Sequence, residues 1–375
     1  MAEPIDPDET SCVKTTAALL REPTAMYSIE EVTLADPGPG QVLVRIVAVG
    51  HCHTDLLPRT GMLPTPMPMI AGHEGAGIVE VVGEGVSSLA PGDHVVLSFG
   101  SCGGCPPCVA GLPASCDLFA PLNIFGATLD GSVTVTDSQG SAVSARWFGQ
   151  SSFAMHALAT ERNAVKIDPD LPLELMAPLG CGLQTGAGTV LNVLKPAAGD
   201  SIAVFGTGAV GSAAIMAAAS AGCTTIVAID LHPHRLELAK SLGATHVVDG
   251  ADSDVAAQVI ASTGRGVDHA VDTTGVNTVC FAAVSALTSR GTLALVGVAQ
   301  PDLVIPGNAL AMGKRVVGVI EGDSNPQTFI PQLAQLWRDG KFPIERLVQT
   351  FPFAEIDHAE AEAAAGRVVK PVLLM

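Results

Sequence analysis

The stretch Ser201-Ile-Ala-Val-Phe-Gly206-Thr-Gly208-Ala-Val210-Gly211 constrains this chain more than any other. Its apolar opening reads as a buried strand, and the Ala-rich run Ser212–Ser220 reads as helix. The glycines between them have separate uses. Gly206 permits the tight turn, Gly208 lets backbone approach a pyrophosphate, and Gly211 lets the helix sit close on its sheet. The helix start, with Val210 in its first turn, offers unpaired N–H groups and a positive dipole end to phosphates. Such a glycine pattern is weak alone, but here it has context. A second apolar run, Thr225–Ile229, ends in Asp230, 24 residues after Gly206. That is roughly the spacing at which a carboxylate meets a ribose 2′-hydroxyl. An acid there repels a 2′-phosphate and favours NAD. Arg235, five residues on, leaves NADP open.

The pattern then repeats. Apolar runs at Ile202–Phe205, Thr225–Ile229, His246–Val248, Val267–Val271, Thr292–Val298 and Val316–Ile320 alternate with helical stretches near 212–220, 233–241, 253–261 and 277–288. Short apolar strands with intervening helices mark a parallel sheet covered on both faces. Six of them suit a doubly wound α/β domain with ligand at the strands' carboxyl ends, which puts Val296 and Val298 beside a bound cofactor. Upstream, Val13–Leu20, Gln41–Val49, Ile78–Val82 and Ser152–Leu158 read as strands, and Pro331–Asp339 and Val368–Leu374 as a closing helix and strand.

A formal net charge of −18 removes nucleic acid as a partner, because phosphate binding needs a basic face. No run approaches the ~20 apolar residues of a membrane span. The acidic start fits neither a signal nor a transit peptide, so the expected location is the cytoplasm. Nine cysteines without an export signal point away from a disulfide framework.

Four of them form the strongest local signal, Cys102-Gly-Gly-Cys105-Pro-Pro-Cys108-(x7)-Cys116. Gly and Pro between thiols make the loop that turns four sulfurs inward, as a closed tetrahedral zinc site requires. With no open coordination position, such a site is structural. Two further knots follow apolar runs: Gly50-His-Cys52-His53-Thr54-Asp55, and Ala71-Gly72-His73-Glu74-Gly75. Ala177-Pro-Leu-Gly180-Cys181-Gly182 gives a third. Taken singly each has a plain reading, since a buried Cys packs like a small hydrophobe and a Gly-flanked His suits a surface turn. Together Cys52, His73 and Cys181 make the two-Cys, one-His set of a catalytic zinc that keeps its fourth position open.

These motifs, in this order and over nearly the whole chain, resemble the zinc-dependent alcohol dehydrogenases of the medium-chain dehydrogenase/reductase superfamily. The runs Phe148-Gly-Gln-Ser-Ser-Phe153 and Leu179-Gly-Cys-Gly-Leu-Gln-Thr-Gly-Ala-Gly188 are most similar to the aryl (benzyl) alcohol dehydrogenases. The resemblance implies a Rossmann domain over residues 183–322 and a β-rich, partly barrel-like (GroES-like) catalytic domain built from 1–182 and 323–375. It implies two zinc ions per chain, NAD as cofactor, an alcohol or aldehyde as small-molecule partner, and a homodimer or homotetramer.

It also implies roles. Thr54 takes the alcohol proton and His53 meets the cofactor phosphate or continues the relay. Glu74 is the carboxylate near the metal, Asp55 orients His73, and Lys370 is another phosphate contact. Leu63, Phe99, Trp147 and Phe148 wall an apolar pocket for an aromatic or bulky primary alcohol. Some family members carry the relay through a His five residues after the first zinc Cys, where this chain has Leu57. Two other readings stay open: a thiol-adduct (formaldehyde-type) dehydrogenase, and a non-catalytic zinc and nucleotide-binding regulator.

Overall fold

The computed structural model describes residues 12–297, 302–305 and 307–375, so Val298, expected beside the cofactor, lies outside the described residues. Its strands are β1 (Val13–Leu20), β2 (Ser28–Leu34), β3 (Gln41–Gly50), β4 (Met69–Ile70), β5 (Glu74–Val82), β6 (His94–Leu97), β7 (Val135–Asp137), β8 (His156–Thr160) and β9 (Ala164–Lys166). They continue with β10 (Ser201–Phe205), β11 (Thr225–Asp230), β12 (His246–Asp249), β13 (Val267–Asp272), β14 (Leu287–Leu295), β15 (Arg315–Gly318), β16 (Val348–Pro352) and β17 (Lys370–Leu374).

The six strands from β10 to β15 form one parallel sheet in the order β12-β11-β10-β13-β14-β15. Strand order reverses direction between β10 and β13, which opens a crevice at their carboxyl ends. The fingerprint behaves as its residues demand. Gly206 turns with φ +85°, and a Cβ at Gly211 would stand 1.8 Å from the Gly206 carbonyl oxygen. The helix begins at Ala209, three residues before the expected start, because extended Gly208 caps it. Its buried residues include Ala213, Ala214, Ala217 and Ala218 together with the larger Ile215 and Met216.

The other strands make two sheets, antiparallel except that β16 runs parallel to β17. One runs β4-β1-β2-β7, and the other runs β16-β17-β3-β5-β6-β9 with β8 also paired to β3. The chain end returns to this part, since β17 pairs antiparallel with β3. One buried cluster joins the second of these sheets to the parallel sheet, packing Ala48, Ala76 and Val96 with Ile202, Val204, Ala213, Leu183 and Ala187. The helix Gly182–Gly188, buried along its whole length, therefore forms the seam between the two halves.

Further elements differ from expectation, among them β14, which starts at Leu287 where the helix was expected to run on to 288 and the strand to begin at Thr292. The strand expected at Ser152–Leu158 starts only at His156, because Gln150, Ser151 and Ser152 are buried as a polar turn. The helix expected at Pro331 begins at Pro326, capped by the Asn325 side chain, and carries Pro331 inside it. No helix among the described residues is long and apolar enough to cross a membrane.

Candidate active site

Three turns at strand ends meet at the seam. β3 runs into the short helical turn His53–Asp55, β5 starts at Glu74 just after His73, and Cys181 precedes the seam helix. The ligand atoms of Cys52, His73 and Cys181 all lie within 4.8 Å of one another. His73 is fully buried and Cys181 buried, while Cys52 is half-buried. The Asp55 carboxylate accepts from His73 Nδ1 at 2.8 Å, Trp147 Nε1 at 3.0 Å, Gly72 N at 3.0 Å and Cys52 N at 3.2 Å. That fixes Nδ1 as the protonated nitrogen. Nε2 is left buried with no hydrogen-bond partner among the described residues, on the side of the ring away from Asp55.

The three groups shift one another strongly. Cys52 is held well below the usual thiol range, first by its hydrogen bond with Cys181 and then by the field of His73 against the cost of burial. Cys181 is pushed well up by that same bond with Cys52, by burial and by Glu321. Burial works against a charged His73, yet Asp55 and Cys52 raise it well above the ordinary imidazole value. Two sulfurs facing an imidazole nitrogen with no hydrogen-bond partner among the described residues fit the donor set of zinc, with one side left open.

The second cluster is local. Cys102, Cys105, Cys108 and Cys116 also bring their sulfurs within 4.8 Å. The pairs Cys102–Cys108 and Cys105–Cys116 stand 3.9 Å apart, close to the edge of about 3.8 Å that a tetrahedron with Zn–S of about 2.3 Å requires. Backbone N–H groups of Cys105 and Cys102 point at the sulfurs of Cys102 and Cys116, and the N–H groups of Gly104 and then Cys105 bring the Cys102 thiol down to about 6. All nine cysteines are free.

A cleft of about 720 Å³ runs from Cys52 and His53 past Gly206, Gly208 and Val210 to Asp230 and Arg235. Both Asp230 oxygens are engaged, one by Thr207 N and Oγ1 at 2.8 and 2.9 Å and the other by His232 N at 2.9 Å. Asp230 still borders the cleft, and the buried Arg235 Nε beside it has no hydrogen-bond partner among the described residues. Val296 follows β14 near its end and does not line this cleft.

Several expected neighbours take other positions. Lys370 borders the cleft but commits its ammonium to both Glu74 oxygens, at 2.9 and 2.8 Å, and to the His51 carbonyl at 3.1 Å, so it is not free for a phosphate. Glu74 also accepts from Gly182 N at 2.9 Å, tying the metal-side turn of β5 to the seam helix. Thr54 is half-buried with its Oγ1 3.7 Å from Cys52 Sγ, and His53 is exposed at the cleft. Trp147 is fully enclosed and serves Asp55, while Phe148 stacks on His73 with ring centroids 4.3 Å apart. Phe99 joins them through Phe119, and Leu63 is half-buried against the same core.

Three polar residues at this site escaped the sequence reading. Gln150 donates to the His73 and Ser98 carbonyls and accepts from Gly75 N, bracing the His73 turn. Gln184 donates to the Gly180 carbonyl and Ser98 Oγ beneath Cys181. Glu321 is buried 3.6 Å from Cys181 Sγ and raised to about 7 by burial. Only Glu321 left a signal: an acid directly after an apolar strand of the parallel sheet, where ligands gather.

Residues 38–169 match the alcohol dehydrogenase GroES-like domain and residues 209–338 the zinc-binding dehydrogenase family. The chain is 43% identical to the geraniol dehydrogenase of Castellaniella defragrans, over 98% of this chain and 99% of that one. Among solved structures it is similar to an alcohol dehydrogenase zinc-binding domain protein from Burkholderia ambifaria, with TM-score 0.95 and 47% identity over 97% of this chain and 100% of the other. Benzyl alcohol dehydrogenase from Acinetobacter calcoaceticus superposes with TM-score 0.93 and 40% identity, over 97% and 99%.

Proposed function

Because this chain belongs to the zinc-type alcohol dehydrogenases of the medium-chain dehydrogenase/reductase superfamily, we propose that it oxidises a bulky apolar or aromatic primary alcohol to its aldehyde, reversibly, with NAD. The observation that carries the reading is the meeting of Cys52, His73 and Cys181 beside the cleft of the glycine fingerprint. The two relatives' names narrow the substrate. Geraniol and benzyl alcohol share a carbinol carbon next to an sp² carbon, with an apolar body behind it.

Cys52, His73 and Cys181 would hold the catalytic zinc, and Cys102, Cys105, Cys108 and Cys116 a structural one. The catalytic zinc supplies Lewis-acid polarisation of the alcohol oxygen, and NAD accepts the hydride. The rest falls to the chain. Asp55 keeps His73 in the tautomer that presents Nε2, and Phe148 covers the imidazole face and keeps water from it. Thr54 stands next to Cys52 with a hydroxyl able to accept the alcohol proton while giving up its own toward the cleft. Leu57 cannot carry that proton further, so exposed His53 or cleft water receives it. Gly206, Gly208, Val210 and Gly211 seat the pyrophosphate against the helix start, and Asp230 faces the ribose. The outer strand β15 leaves a sheet edge flanked by exposed Met312 and Ile320, which favours self-association as a homodimer or homotetramer.

The test is a panel of benzylic, allylic and saturated primary alcohols with NAD and NADP, alongside metal analysis. Benzylic and allylic alcohols should lead, with about two zinc ions per chain. Cys52→Ala should lower kcat at least about 1000-fold while NADH binding stays near normal. Turnover by that variant would sink the metal assignment.

A further inference from the structure

Of the two buried carboxylates flanking the metal cluster, Glu74 braces the β5 turn and Glu321 has no role so far. Its backbone is forced. Glu321, Gly322 and Asp323 turn consecutively with φ of 49, 64 and 48°, and each non-glycine residue held there costs roughly 1–2 kcal/mol. Packing over-determines the turn. The Gly322 carbonyl accepts from Asn192 Nδ2 at 3.1 Å, and Ser324 Oγ bridges the Glu321 carbonyl at 2.6 Å and Gln184 Oε1 at 3.0 Å. A Cβ at Gly322 would stand 2.5 Å from the Gln184 carbonyl oxygen, so the turn is wedged against the seam helix that starts after Cys181.

The two carboxylates flanking the cluster are bound very differently. Glu74 has both oxygens on Lys370 and a further bond from Gly182 N. Glu321 has two long, weak hydrogen bonds among the described residues: one from the Cys181 thiol, and one from Gln184 Nε2 at 3.3 Å, an amide that already serves Gly180 and Ser98. Its other oxygen stands 3.6 Å from Cys181 Sγ. Two ligands of a tetrahedral zinc, one sulfur and one oxygen, are about 3.5–3.7 Å apart. A buried carboxylate so poorly bonded calls for a donor or a cation.

We propose that Glu321 is a reserve ligand for the catalytic metal. With no substrate in the cleft, its side chain rotates away from Gln184 and a carboxylate oxygen takes the fourth position. An entering alcohol displaces it, and the carboxylate returns to Gln184. The proposal rests on the assignment of Cys52, His73 and Cys181 to zinc, and adds a residue from the nucleotide-binding half that stands outside their cluster.

The test compares wild type with Glu321→Gln, which keeps the shape and removes the anionic oxygen. In the substrate-free holoenzyme, transfer of the catalytic zinc to a chromogenic chelator should be about tenfold faster in E321Q, with the four-cysteine zinc unaffected. The visible bands of the cobalt-substituted, substrate-free enzyme should shift in the variant. Equal transfer rates together with equal spectra overturn the proposal. Should E321Q fail to fold, a crystal structure of the zinc-loaded, substrate-free wild type decides: a Glu321 oxygen at about 2.0–2.2 Å from the metal supports it, and one beyond about 3.5 Å overturns it. None of these readouts uses turnover. A protein that oxidises alcohol with two zinc ions but fails them loses only this inference.

Discussion

The two cysteine clusters use the same element chemistry in opposite ways. The lobe of Cys102, Cys105, Cys108 and Cys116 draws four like ligands from one short loop, three of them half-buried, and its sulfurs are steadied by the loop's own N–H groups. The cluster of Cys52, His73 and Cys181 draws unlike ligands from three distant turns. Each is fixed by something outside itself: Asp55 for His73, the seam helix for Cys181, the Asp55-capped turn for Cys52. A closed site needs only a loop of the right spacing. An open site must be prevented from collapsing on its own vacancy, and that takes a rigid surround.

The sharpest way to break the comparison is to damage each cluster in turn. Cys181→Ser should cost activity at least about 1000-fold and leave the unfolding midpoint within a few degrees. Cys105→Ser should instead lose one zinc and about 3 kcal/mol or more of stability, read by thermal unfolding and metal analysis. If both variants lost activity with stability intact, the division of labour would be wrong.

Asp55→Asn tests whether the surround matters as argued. It weakens the acceptor of four donors and loosens the His73 tautomer, so catalytic zinc affinity should fall about 10- to 100-fold in a chelator competition, with the four-cysteine zinc unmoved. Asp230→Gly, away from both clusters, should lower the NAD over NADP preference about tenfold in kcat/KM, and an unchanged ratio would remove its ribose role.

The lone cysteines give the smallest effect. Exposed Cys12 should label at once with a thiol reagent at pH 8. Cys223 and Cys280 are pushed up to about 11 and about 12, first by burial and then by nearby aspartates, so roughly one in a thousand or fewer is thiolate at that pH. They should stay silent after chelation exposes the lobe. An acid raised in the folded state contributes stability that is complete below its unfolded value and lost as pH rises through the folded one. Their share should therefore hold below pH 9 and fall away toward 11–12, which thermal unfolding of the Cys223→Ala and Cys280→Ala variants can check.

What the residues determined unaided follows from local physics. The Gly206–Gly211 turn, the alternation of apolar runs with helices and the four-cysteine loop each act over a few residues, where spacing alone sets geometry. The convergence of Cys52, His73 and Cys181 was legible only because their motifs resemble a known family; no local rule joins positions over a hundred residues apart. Tertiary structure alone decided which polar groups share a buried site. Lys370 pairs with Glu74 because a buried carboxylate requires the nearest cation, and Trp147 donates to Asp55 because an enclosed indole N–H must be satisfied. Glu321 reaches Cys181 only when the sixth parallel strand and the seam helix are packed together, a contact that no pattern along the chain encodes.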